Sequence, residues 1–212
     1  MDTLLLTRLF VGLAALFCLA GLAWRLQAFL ALPYKPEQAP PKGRVIPGLL
    51  YAFTMAMAPW SKESTRRHLL AYVRGILFHI GIFTSLALLP LSLFPGQLGN
   101  FRLLLAVPIG LGALGGWAGF GQRLVGERER ALSTPDDFAA VALVSLFMTV
   151  AFATLLNDAW LAAFYTVSAL MLIYLPFSKM RHFLYFFFSR FFFGIRYSRR
   201  GAIGWSSTHL EG

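Results

Sequence analysis

A chain of 212 residues that is 58% hydrophobic and only 13% charged, with a mean hydropathy of +0.65, is too apolar for a soluble domain and reads as an integral membrane protein. The net charge of +10 is carried mainly by segments flanking the apolar runs, which is the placement of topogenic charge, so it does not point to nucleic acid. The single cysteine, Cys18, lies inside an apolar run with no partner for a disulfide or a thiolate metal site, and reads as a packing residue.

Apolar runs of spanning length occur at 4–32, 70–94, 102–124, 137–157 and 160–194. The expected fold is therefore an all-α membrane protein, a five-transmembrane-helix bundle forming one domain over 1–212. The first run is too long for a signal-peptide core and lacks a small-residue cleavage signal, so a retained helix is expected. "PYKPEQAPPKGRVIPG" then reads as a loop, and the segment at about 45–60, with "LLYAFTMAMAPW", as an interfacial helix. Lys35, Lys42, Arg44, Lys62, Arg66 and Arg67 lie in the first loop; Arg123, Arg128 and Arg130 follow span three; Arg196, Arg199 and Arg200 lie in the tail. "PGQLGN" and "ND" carry no Lys or Arg, although Arg102 borders the former. The positive-inside rule then places the N-terminus outside and the C-terminus in the cytoplasm, in a multi-pass protein of the inner (cytoplasmic) membrane.

Of the four histidines, His68, His79, His182 and His209, the last lies in a polar tail. His79 is set in "GILFHIGIF", where an ionisable ring in hydrocarbon calls for a partner. His182 lies in the cytoplasmic half of the final run, at a depth expected to match that of His79. Two such imidazoles suit the axial positions of one non-covalent haem b between helices; equally, a membrane histidine can be a packing residue that hydrogen-bonds across helices. Gly75 and Gly81 beside His79, and the glycines of span three, would make room for a macrocycle or for close helix packing. Arg66, Arg67, Arg74, Lys179 and Arg181 are candidate partners for haem propionates, or serve topology.

"LFHIGIF" together with "LPFSKMRH", supported by "AWRLQAF" and "STPDD", resembles the gamma subunit of respiratory nitrate reductase. It is also similar to the related membrane cytochromes that accompany heterodisulfide-reductase-like iron-sulfur subunits, including those of dissimilatory sulfite reduction. The resemblance covers nearly the whole chain. It implies a cytochrome b that passes electrons between menaquinone or ubiquinone and a cytoplasmic iron-sulfur subunit, with His79 and His182 as metal ligands. Nitrate reductase gamma subunits hold two haems on four histidines; the positions of the other two ligands fall here at Leu89 and Phe164, so a single haem, on the cytoplasmic side, is expected.

"PWSKESTRRH" brings Lys62, Glu63 and His68 to the start of span two, where they either contact a quinone head group and its protons or simply make a helix entry. No phosphate-binding glycine loop or nucleophile triad is present in the sequence. A haem-free membrane anchor for a peripheral enzyme is the alternative reading. A small transporter ranks below it, because polar groups near the midplane are only scattered.

Overall fold

The computed structural model describes residues 2–33, 38, 40–61, 63–94 and 99–202. Helices α1 (Thr3–Leu30), α2 (Val45–Phe53), α3 (Glu63–Arg67), α4 (Leu69–Ser92), α5 (Arg102–Val125), α6 (Glu127–Leu132), α7 (Pro135–Leu156), α8 (Leu161–Tyr174) and α9 (His182–Arg199) follow one another, with single 3₁₀ turns between some of them. The expected spans one to four correspond to α1, α4, α5 and α7, each long and apolar enough to cross a membrane. Leu5, Leu9, Leu13 and Leu16 of α1 are exposed, as are Leu103, Val107 and Leu114 of α5. Such surfaces are costly in water and cost nothing against lipid tails, which marks a multi-pass membrane protein.

The expected fifth span is not one helix. α8 stops at Tyr174, Leu175–Ser178 turn, and a 3₁₀ turn at Lys179–Arg181 leads into α9. Pro176 explains the interruption: it has no N–H to offer the carbonyl of Leu172, and its ring opposes a continuing helix. The Phe177 N–H instead bonds the Tyr174 carbonyl three residues back, at 3.1 Å. Among the described residues there are thus four candidate spans, or five if this interrupted pair is one span.

The chain forms two compact units, Met1–Arg25 with Val73–Arg181, and Leu26–Tyr72 with His182–Gly212. In the first, α7 carries much of the core, burying Val144, Phe147, Met148, Ala151 and Leu155. α5 packs along it with the stripe Ala106, Ile109, Gly112, Ala113, Gly116 and Gly119. Small residues on that stripe also let α4 approach, since a β-carbon on Gly81 would stand 2.8 Å from the Gly112 Cα. Phe164 of α8 is fully buried and stacks on Phe147 at 5.7 Å, and the adjacent Tyr165 hydroxyl donates to the Ser92 carbonyl at 2.9 Å. Val11, Ala14 and Cys18 form the buried stripe of α1, and Gly21 continues it against Pro176.

Carboxylates clamp the end of α8. Asp136 accepts from the Tyr174 hydroxyl and from the Lys179 N–H at 2.7 Å, while Asp137 pairs with Lys179 Nζ at 2.7 Å and completes the Thr134 capping box of α7.

In the second unit α2 packs against α9. A β-carbon on Gly194 would lie 2.9 Å from the Gly48 carbonyl oxygen, so the two backbones meet where neither carries a side chain. The Ser198 hydroxyl donates to the Arg44 carbonyl, and the Lys42 N–H to the Arg199 carbonyl at 2.7 Å. The expected interfacial segment at 45–60 is therefore α2 followed by 3₁₀ turns at Met55–Met57 and Pro59–Ser61. Lys35 and most of the "PGQLGN" loop, 95–98, lie outside the described residues.

Candidate functional site

His79 sits in the middle turns of α4, in the first unit, and its ring is exposed. Its Nδ1 lies 2.7 Å from the carbonyl oxygen of Gly75, one turn earlier. A carbonyl only accepts, so Nδ1 carries a proton, and in the neutral ring Nε2 carries the lone pair. Backbone tethers of this kind set the tautomer and orientation of metal-binding imidazoles. The ring is also positioned from the side: Phe78 meets it edge-on at 6.0 Å, and Phe78 in turn lies where a β-carbon on Gly116 would come within 2.6 Å of its ring.

Several neighbouring positions on α4 are apolar and exposed. Ile76, Ile80 and Phe83 are 42%, 45% and 62% exposed, and a β-carbon on Gly75 would meet nothing within 4 Å. Gly81 is different, because the contact with Gly112 demands it. The two glycines that the sequence offers on either side of His79 therefore have separate roles, one leaving space and one allowing helix contact.

His182 is the first residue of α9, belongs to the second unit and is exposed. It was expected within a continuous helix and stands instead just after the interruption that Pro176 begins.

Of the expected propionate cations, Arg66 is exposed on α3, Arg67 pairs with Glu63, and Arg74, Lys179 and Arg181 have polar partners in the first unit. Arg74 donates to Gln122 Oε1 at 2.6 Å, and Gln122 donates onward to Glu129 at 3.1 Å. Its stem runs past two glycines of α5: a β-carbon at Gly115 would lie 3.4 Å from the Arg74 Cγ, and one at Gly119 3.9 Å from its guanidinium carbon. Lys179 pairs with Asp137, and Arg181 donates to the Phe177 carbonyl at 2.6 Å and the Ser178 carbonyl at 3.2 Å. A guanidinium has five N–H donors, so these bonds do not exhaust Arg74 or Arg181. The partners themselves were not anticipated; the Gly115, Gly119, Gln122 spacing on one face of α5 was their only sequence signal.

Of the expected quinone contacts, Lys62 lies outside the described residues, as does His209. Glu63 is exposed and paired with Arg67 at 2.5 Å across one turn of α3. His68 is exposed at the turn between α3 and α4, where its N–H bonds the Thr65 carbonyl and its carbonyl accepts from Tyr72. Among the described residues no three His, Cys, Asp or Glu side chains gather as a metal site. No protein-family model, curated protein or solved structure matches the chain, so the resemblance rests on the motifs quoted for it.

Proposed function

We propose that this chain is the membrane cytochrome b subunit of a quinone-linked oxidoreductase complex, with His79 and His182 as the axial ligands of a single haem b. The observation that carries the reading is the His79 Nδ1–H bond to the Gly75 carbonyl, which leaves the lone pair on Nε2, on an apolar face with open space one turn away. His79 lies beside the exposed Ile76, Ile80 and Phe83 on a helix long and apolar enough to cross a membrane, and a flat apolar macrocycle would cover that face. A donor set of imidazoles alone fits haem, whose macrocycle supplies the remaining ligands.

A haem held by these two imidazoles would supply a one-electron carrier. Around it, His79 and His182 hold and orient the group, while Arg74 and Arg181 offer guanidinium donors to its carboxylates. Phe164, packed into the core on Phe147, and Leu89, packed against the same core, hold the two sequence positions where the resemblance expects the second pair of ligands, which supports one haem and not two.

The proposed orientation has the N-terminus outside and the C-terminus in the cytoplasm of the inner membrane. It is supported by the bonds joining 42–44 to 198–199, since two segments hydrogen-bonded to each other lie on one side. That basic side would face a heterodisulfide-reductase-like or nitrate-reductase-like iron-sulfur subunit. The test is the reduced-minus-oxidised spectrum of the purified full-length protein. One b-type haem per chain, lost in His182→Ala, is expected; absence of Soret and α bands from the wild type would leave the haem-free anchor as the reading.

A further inference from the structure

The second unit gathers cations that are far apart in sequence. The Lys42 N–H bond to the Arg199 carbonyl, at 2.7 Å, and the Ser198 hydroxyl bond to the Arg44 carbonyl draw residues 42–44 onto the end of α9. Gly201 closes the arrangement: at φ +72° it turns the chain in the left-handed region, and its β-carbon position is 3.6 Å from the Lys42 Cβ. Lys42, Arg44 and Arg199 are all exposed. Among the described residues of this unit the only carboxylate is Glu63, which Arg67 holds.

An apolar hollow of about 340 Å³ lies in the same unit, lined by Phe29, Leu30, Leu32, Pro33 and Phe192. Phe192 and Arg199 are seven residues apart on α9, so they share a face and are separated by about 10 Å along the helix. That spacing suits a lipid with its acyl chain in the hollow and its phosphate at the cations. Apolar side chains continue around the cluster, with Ile46 71% exposed and Tyr197 45% exposed. Cations at the edge of an exposed apolar surface are complementary to an anionic headgroup above an acyl layer.

We infer that the hollow at Phe29, Leu32 and Phe192, together with Lys42, Arg44 and Arg199, forms a binding site for one anionic phospholipid. The inference does not depend on haem.

The experiment uses the full chain in neutral detergent, incubated with phosphatidylglycerol or phosphatidylcholine and analysed by intact-complex mass spectrometry. Phosphatidylglycerol should be retained in preference to phosphatidylcholine. Retention should fall about fivefold for each cation removed in Arg44→Gln and Arg199→Gln, the size expected of one basic residue at an anionic surface. Arg128→Gln, in the other unit, should leave it unchanged. Equal retention in Arg199→Gln, or an equal loss in Arg128→Gln, would overturn the site. Displacement of the lipid by millimolar inorganic phosphate would show that the cations take a free anion and would also overturn it. A measurement on the wild type needs no variant: phosphatidylglycerol with a photoreactive acyl chain should label peptides containing 29–33 or Phe192. A second apolar groove lies between α5 and α7 at Leu103, Val107 and Phe152, and labelling confined to it would reject the proposal.

Discussion

His79 Nδ1 donates to the Gly75 carbonyl oxygen at 2.7 Å, across a single turn of α4. The bond is local, so the tautomer is set by the helix itself and does not wait for another element. Replacing His79 by Ala should abolish the reduced b-type spectrum as fully as His182→Ala does, whereas His68→Ala and His209→Ala should retain it. Normal haem content in His79→Ala would remove the central ligand from the proposal. Gly75→Leu gives a finer test, because it fills the open space while keeping the carbonyl; haem content should fall although the helix is not disturbed.

Helix contact provides a prediction independent of haem. With Gly81 and Gly112 at 2.8 Å by the β-carbon measure, an added side chain has to push two backbones apart. Gly112→Val should therefore cost about 1–3 kcal/mol or more, the scale of overpacking a close-packed interior. Gly121→Ala should be neutral or stabilise by about 0.5–1 kcal/mol, because nothing lies within 4 Å of its β-carbon position. Thermal unfolding in detergent ranks the pair, and equal behaviour would contradict the contact.

The two carboxylates at the start of α7 are predicted to differ. Asp136 serves both the Tyr174 hydroxyl and the Lys179 N–H, so Asp136→Ala removes two hydrogen bonds to a charged acceptor and should cost about 1–3 kcal/mol. The Lys179–Asp137 pair has a lysine side chain 52% exposed, and Lys179→Ala should cost no more than about 1 kcal/mol. Unfolding midpoints compare the two variants directly; a larger loss in Lys179→Ala would reverse the ranking.

Hydropathy located α1, α4, α5 and α7 to within two residues of their ends because each run is predominantly apolar and bounded by polar or turn-forming residues. The same signal concealed the interruption after Tyr174, since "LMLIYLPFSKM" stays apolar through Pro176; the proline and the Ser-Lys pair after it were the available warning. His79 was legible as an isolated imidazole in an apolar run. Its tether to Gly75 also follows from i, i+4 geometry, but the partners of Arg74, Lys179 and Asp136 do not, because each comes from a helix remote in sequence. The joining of 42–44 to 198–199 spans more than 150 residues and left no periodic trace.

A cytoplasmic partner is predicted to dock on the basic face. A photocrosslinker at Arg128, on the exposed α6, should capture an iron-sulfur subunit from native membranes, with capture weakened by raised salt because the attraction is between surface charges. Capture solely from the 95–100 loop would reverse the proposed sidedness.

The position of the quinone is the last prediction, and it follows from how α8 is packed at Phe164. In the nitrate reductase gamma subunits that the sequence motifs resemble, quinol gives up its electrons near the outer haem; at the two sequence positions where that resemblance expects the outer ligands, Phe164 is buried and stacked on Phe147, and Leu89 is packed against the same core. An outer quinone would then lie about half of a ~30 Å hydrocarbon layer from the iron. The proposed quinone site is therefore on the cytoplasmic side, with Lys62, Glu63 and His68 as its contacts and protons exchanged with the cytoplasm. The structure distinguishes between them. Glu63 is already neutralised by Arg67, whereas the backbone of His68 is bonded to Thr65 and Tyr72 and its imidazole is exposed at the helix junction. His68→Ala should weaken binding of a quinone analogue, followed through the haem spectrum, by about fivefold, the scale of one hydrogen bond. Glu63→Gln should have a smaller effect, since it exchanges a carboxylate that is already paired. Unchanged binding and unchanged haem reduction by quinol in His68→Ala, or impairment only by substitutions near Pro95 and Trp160, would place the quinone on the outer side and reject this site.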